Sequence, residues 1–248
     1  MQRSYYQKYY SFERNHWWFI VRAGILKKVI NRCTGIKAGA RILNAGVATG
    51  RTTEDLSIFG SVTSVENDPE CCRFLREELN MEVTEASVTD LPFEDGIFDM
   101  ICVLDVLEHV DDDRSALKEL HRLNSKDGWL VLTVPAYQWL WSRHDEVNHH
   151  CRRYTRSQIR QRLEQSGYRI QYLSYFNSFL FPFIAVYRLV SRPFVKGTPL
   201  KSDFEIAGFE YKSWTNKLFG GIFGIEKKLI PSIRFPFGVS VIAVASKN

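Results

Sequence analysis

The sequence is short of the features that mark secreted, membrane-spanning or repetitive proteins. Its five cysteines (Cys33, Cys71, Cys72, Cys102, Cys151) are odd in number and include no C-x-x-C pair, which argues against a complete disulfide framework and a thioredoxin-like redox motif. They read as reduced thiols, as expected of a cytoplasmic protein. The N-terminus, MQRSYYQKYYSFERNHWWF, lacks the apolar core of a secretion signal, so no export is expected. The apolar run from Phe179 to Tyr187 is interrupted at Arg188 and falls short of the about twenty residues that a bilayer span takes. There is no internal repeat and no low-complexity segment.

What is present suits one α/β unit. A chain of 248 residues, 45% hydrophobic and 25% charged, can bury a full core, and it fits a single elaborated domain better than two small ones. Its charge is divided unevenly: residues 1–150 carry 17 Lys and Arg against 23 Asp and Glu, whereas residues 151–248 carry 16 against 5. A basic, aromatic C-terminal part fits an anionic substrate, a membrane surface or nucleic acid, or else a solvated basic face.

Apolar runs bounded by turn residues recur at 40–45, 61–66, 82–86, 98–104 and 128–135, with helix-like stretches at 51–59, 69–79 and from Asp111 through 123. This alternation predicts a parallel sheet covered by helices. Lys126-Asp127-Gly128 is expected to turn into the fifth strand. A helix over 155–167 should end at Gly167 and lead into a strand over 168–176, and GVSVIAVASK should close the sheet. The expected organisation is an aromatic helical extension (1–39), a core (40–176), a basic and apolar insert (177–236) and a last strand (237–248). The insert joins two amphipathic stretches through a Pro/Gly/Lys-rich link from Ser191 to Ser202, and inserts in such places usually carry specificity.

The first strand runs into Asn44-Ala45-Gly46-Val47-Ala48-Thr49-Gly50-Arg51, where glycines let backbone approach a ligand closely. Taken alone this is equally an ordinary strand-to-helix turn. Glu66 ends the second strand about twenty residues on, where a carboxylate can grip two ribose hydroxyls. Together, RILNAGVATGR, VEND, LPFEDGIFDMI and VLDVLEHV resemble class I S-adenosylmethionine (SAM)-dependent methyltransferases of the type 11 and ubiquinone-methylase group, over residues 40–176. An NAD dehydrogenase would leave the last two motifs unexplained. The resemblance implies a Rossmann-like, seven-stranded, mostly parallel sheet with a reversed last strand and helices on both faces. It places SAM over the carboxyl ends of the first two strands, against Asn44, Gly46, Ala48, Gly50, Glu66, Asn67, Ser87, Val88 and Leu104. Outside the core, Glu13-x-x-His16-Trp17-Trp18-Phe19-x-x-Arg22 and the later H-D-E…H-x-R-R-Y pattern resemble bacterial methyltransferases of polysaccharide and lipid-linked glycan gene clusters.

The sequence departs from that family's pattern at three cofactor positions. Asn44 stands where Asp is usual, Ala48 where Gly is usual and Ser87 where Asp is usual. Losing a charged acceptor or a glycine is expected to weaken SAM by about a kcal/mol each, without abolishing binding.

Methyl transfer is an in-line displacement, so alignment carries much of the catalysis and a base is useful rather than required. His109, after the fourth strand, is the first candidate base, with the alternative that it caps its turn. Tyr137 and His150 join it as catalytic candidates. In ubiquinone-type O-methyltransferases a similar acid-x-x-Glu-His turn can hold a divalent metal; no metal is expected here, the alternative implied by the resemblance being Mg or Mn on Asp105, Glu108 and His109. The His144 to Cys151 segment matches no structural zinc spacing and reads as a substrate loop. His144, Arg152, Arg153 and Tyr154 are its candidate acceptor contacts, with arginines suited to phosphate or carboxylate. Trp17 is either a lid over that pocket or part of an aromatic anchor.

The function expected is O-methylation, with N-methylation as the alternative, of a small-molecule, lipid-linked or glycan acceptor by a cytoplasmic protein, peripheral at the inner face of a membrane. The insert would dock on an anionic surface, or pack on the sheet, or form a homodimer contact. The rival is a degenerate SAM-fold protein acting as a weak binder or scaffold. Nucleic-acid methylation is not expected, since no base-flipping signature or RNA-binding motif is present.

Overall fold

In the computed structural model, residues 3–195 and 214–247 are described. The central sheet has seven strands: β1 (Ala40–Ala45), β2 (Gly60–Glu66), β3 (Thr84–Glu85), β4 (Phe98–Leu104), β5 (Asn124–Pro135), β6 (Tyr168–Phe176) and β7 (Ser240–Lys247). Their order across the sheet is β3-β2-β1-β4-β5-β7-β6. Every pairing from β3 to β5 is parallel, and β7 enters antiparallel between β5 and β6, so the last strand is the reversed one. Six of the seven residues of β4 are buried, and β7 is buried from Ser240 to Ala245. Burial at consecutive residues means that both faces are covered, the pattern of a parallel-sheet core.

Helix boundaries follow local chemistry. Helix α4 (Pro69–Leu79) starts with the Asp68 carboxylate capping the Glu70 and Cys71 amides, has Pro69 in its first turn, and stops at Asn80 in the left-handed region. Helix α5 (Asp113–Leu123) is capped by Asp112 and buries Ala116, Leu117, Leu120 and Leu123. Helix α7 (Arg156–Gln165) opens with a Thr155/Gln158 capping box, and Gly167 follows it at φ +88°. Two strand expectations shift. The third strand shrinks to two residues, and the turn predicted at Lys126-Asp127-Gly128 is an irregularity inside β5, which already begins at Asn124. Asp127 there takes φ +61°.

The N-terminal extension is two helices, α1 (Arg3–Asn15) and α2 (Trp17–Cys33), with His16 capping the second. Helix α2 buries Val21, Ile25, Leu26, Val29 and Ile30, and packs on α3 (Arg51–Leu56), on β7 and on α9 (Trp214–Leu229) of the insert. The first half of the insert is α8 (Phe181–Val195). The expected link lies outside the described residues from position 196 to 202.

Candidate active site

The turn after β1 is built to bend sharply. Gly46 has φ +80°, and a Cβ there would come within 2.3 Å of Val106 Cγ2. Gly50 has φ +85° and caps the N-terminus of α3. Ala48 also sits at positive φ, +48°, so it carries left-handed backbone strain besides its Cβ. Asn44 is fully buried, donates to Thr53 Oγ1 at 3.0 Å, and leaves its Oδ1 without a hydrogen-bond partner among the described residues.

Across the turn, Glu66 accepts from Ala48 N at 3.1 Å through one carboxylate oxygen, and from Asn67 N at 2.9 Å and Asp68 N at 3.2 Å through the other. A carboxylate accepts about four hydrogen bonds, so one site stays open and a second opens if a backbone contact is exchanged. That acceptor fits a ribose diol, whose hydroxyls donate. Val88 and Leu104 are buried behind the turn, Asn67 is exposed, and the Ser87 hydroxyl pairs with Thr89 Oγ1 at 2.8 Å.

The extension also reaches this turn, through residues to which the sequence reading gave no site role. The buried Glu13 accepts from the Thr49 hydroxyl, Arg14 donates to Thr49 O, and Tyr6 donates to the Asp68 carboxylate. Arg22, also buried, pairs with Asp105 at 2.7 Å and donates to Thr133 Oγ1 at 3.2 Å. An acid and a base among apolar helix residues were the available signal.

Beyond β4 a second group assembles around a short helical turn, Leu107–His109. Val106, the residue that packs on Gly46, lies three positions before His109. The imidazole of His109 is open to solvent on one side, yet surrounding protein and then the nearby His150 lower its pKa to about 4, so it is neutral at physiological pH. Its ring stands perpendicular to that of His150 at 4.6 Å, and His144 stands 6.0 Å from His150. Glu108 is 1% exposed, and burial followed by the Asp105 charge pushes its carboxyl well above the usual range.

The loop after β5 brings His150 in. Helix α6 (Arg143–Val147) opens with Ser142 and Asp145 capping one another. Asp145 is completely buried, where it accepts from His150 Nδ1 at 2.9 Å and from Arg153 Nε at 2.7 Å and Nη2 at 3.0 Å. Burial alone would raise its carboxyl, but the His150 hydrogen bond and the Arg153 charge outweigh it and hold it well below the usual carboxylate range. Asp145 was not singled out from the sequence, although H-D-E…H contained it.

Several expected acceptor contacts are corrected by this packing. Arg153 is 4% exposed and its charge is committed to Asp145 and to Ala136 O, so it does not reach an acceptor anion. Tyr154 is a buried strut bonded to Leu107 O and Asp113. Arg152 is half-buried against Asp111 O and Asp113. Trp17 packs on Phe219 and Phe223 of α9, while Trp18 stacks on Phe176 and Phe223, which makes the pair an anchor. Tyr137 stacks on Tyr175 at 5.0 Å beside Phe181 and Trp139, in an aromatic group of its own, and burial and then Tyr175 raise its pKa. Asp105, the first residue of the alternative metal set, is paired with Arg22.

Residues 43–132 match the family model of a methyltransferase domain. A ubiquinone biosynthesis O-methyltransferase of Xanthomonas oryzae pv. oryzae is 31% identical over 104 residues, 39% of this chain and 44% of that protein. A ubiquinone/menaquinone biosynthesis C-methyltransferase of Psychromonas ingrahamii is 27% identical over 128 residues, 46% of this chain and 51% of that protein. The chain thus spans about half the length of these curated relatives. A solved SAM-dependent methyltransferase from Archaeoglobus fulgidus superposes with a TM-score of 0.60 at 16% identity, covering 96% of this chain and 99% of that one. The architecture is therefore the Rossmann-like methyltransferase fold.

Proposed function

We propose that this chain, whose residues 43–132 carry a methyltransferase domain, is a SAM-dependent methyltransferase that methylates a hydroxyl of a small-molecule or lipid-linked acceptor. The observation that carries this reading is the contact of Gly46 with Val106. It supports a nucleoside held at the glycine turn meeting a hydroxyl acceptor at the segment after β4 that carries Glu108 and His109.

Bound SAM supplies a methyl group on a sulfonium, which becomes the thioether S-adenosylhomocysteine as the carbon–sulfur bond breaks and a carbon–oxygen bond forms. Glu66 orients the ribose, and the backbone of residues 46–50 follows the cofactor closely. Val106 and Leu107 fix the distance between that turn and the histidines. Glu108, His109 and His150 receive the acceptor oxygen and assist loss of its proton, while alignment supplies on the order of 7–11 kcal/mol of the rate enhancement. The two curated relatives are named as O- and C-methyltransferases; the neutral imidazole of His109 favours a hydroxyl here.

A second reading, a SAM-fold protein that only binds a partner, draws on Ala48 and on the three backbone amides already holding Glu66. Mass spectrometry of phenolic and lipid-extract acceptors incubated with protein and methyl-labelled SAM separates the two. The enzyme reading expects one labelled methyl on oxygen per S-adenosylhomocysteine formed. SAM binding without any S-adenosylhomocysteine would favour the partner reading.

A further inference from the structure

We propose that Glu108, His109 and His150 form a binding site for a divalent transition-metal ion, with Asp145 as the residue that orients His150. The proposal rests on the acceptor site described above for its place in the fold and deepens it by naming what receives the acceptor oxygen.

One ligand atom from each of Glu108, His109 and His150 lies within 4.8 Å of the other two. Proximity alone would not make a site, but Glu108 and His150 also present a free electron pair for a stated reason. Glu108 Oε2 is buried and has no hydrogen-bond partner among the described residues, which for a carboxylate oxygen costs free energy unless something positive meets it. His150 gives its Nδ1 proton to Asp145, whose carboxylate is fixed in the ionised form by Arg153, and this leaves Nε2 as the lone-pair nitrogen. His109 sits beside the backbone of Asn148 and turns a ring nitrogen toward the other two ligand atoms. A ligating histidine typically holds its second N–H on a carboxylate or backbone carbonyl, and His150 has such a partner in Asp145.

The set differs from the one that the turn's spacing suggested. Asp105 is held by Arg22, and His150, contributed by a loop more than forty residues on, completes the group instead. Two imidazoles and one carboxylate suit zinc, cobalt, manganese or iron better than magnesium or calcium, which take oxygen ligands. Three protein ligands leave coordination positions open, and a bound divalent ion lowers the pKa of a hydroxyl that occupies one.

The test is titration of the whole chain, stripped with chelator, with Co²⁺ followed by visible absorption and with Zn²⁺ followed by calorimetry. One equivalent of each is expected. His150→Asn and Glu108→Gln should weaken it by about 100-fold or more, and Asp145→Asn by about 10- to 100-fold, as loss of an outer partner does. The dissociation constant for SAM and the circular dichroism, measured on every variant, show that the fold is intact. Absence of stoichiometric Co²⁺ binding, or binding unchanged in His150→Asn, would overturn the proposal. So would a sulfur-to-cobalt charge-transfer band, because it would place the ion on the exposed Cys151. Metal binding in a protein that fails to bind SAM would uphold this site while removing the methyltransferase reading, so the two failures are separable.

Discussion

Ala48 shows how much a single residue in the cofactor turn decides. Its φ of +48° lies where a Cβ costs about 1–2 kcal/mol, and that cost is set against the about 0.4–1 kcal/mol of chain entropy that a glycine would lose on folding. Ala48→Gly should therefore stabilise the protein by about 0.5–1 kcal/mol, a rise in melting temperature of roughly 1–4 °C. A fall in melting temperature would show that the backbone is not held in that region. The sequence could mark position 48 as unusual but not as strained, because strain is a property of φ, which the closure of the turn on Glu66 imposes. Conversely Glu66, Gly46 and Gly50 were legible as a set, since a nucleotide turn needs small residues and a distant acid at fixed spacing. Asp145 was not, because its role depends on burial beside Arg153 and His150, and the spacing of a loop does not encode how it folds back.

At the scale of elements, the extension and the insert act as one support. Trp17 and Trp18 on α2 meet Phe223 on α9, and Phe223 in turn stacks on Phe176 at the end of β6. Glu226, also fully buried on α9, accepts from the backbone of Ser178 and Phe179 just before α8 begins. Phe223→Ala should thus cost about 3–5 kcal/mol, because the cavity lies between three rigid aromatic rings that cannot all collapse into it. Chemical denaturation measures this directly, and a loss below about 1 kcal/mol would mean that α9 is not fixed to α2. Most strand and helix ranges of the core were readable from apolar periodicity and caps. The pairing of the insert with the extension was not, because it joins residues about 200 positions apart whose apolar faces have the same composition as an exposed interfacial helix.

For the molecule as a whole, the basic C-terminal part carries a conspicuous apolar surface. On α8, Phe183 is 71% exposed and Tyr187 is 70% exposed, and Val186, Leu189 and Val190 are exposed as well. Phe181, by contrast, is packed among Tyr137, Trp139 and Phe237 and is not available to a lipid. None of the described helices is long and apolar enough to cross a membrane. An exposed apolar helix face in a segment with ten Lys and Arg against four Asp and Glu over 176–248 suits an anionic lipid surface, where each basic side chain adds about 1 kcal/mol. The protein should sediment with anionic vesicles, less so as salt rises, and the Phe183→Ser/Tyr187→Ser double variant should lose most of this binding. Salt-independent self-association without vesicle binding would assign the same face to a second copy.

The measurement that bears most directly on the central claim is calorimetric titration with SAM and with S-adenosylhomocysteine, repeated on Glu66→Ala. The account predicts one site for each ligand and a 10- to 100-fold weakening in the variant, roughly 1.5–3 kcal/mol, because the charged acceptor for the ribose hydroxyls is gone. Binding of neither ligand up to millimolar concentration, or the same dissociation constant in wild type and Glu66→Ala, would contradict it.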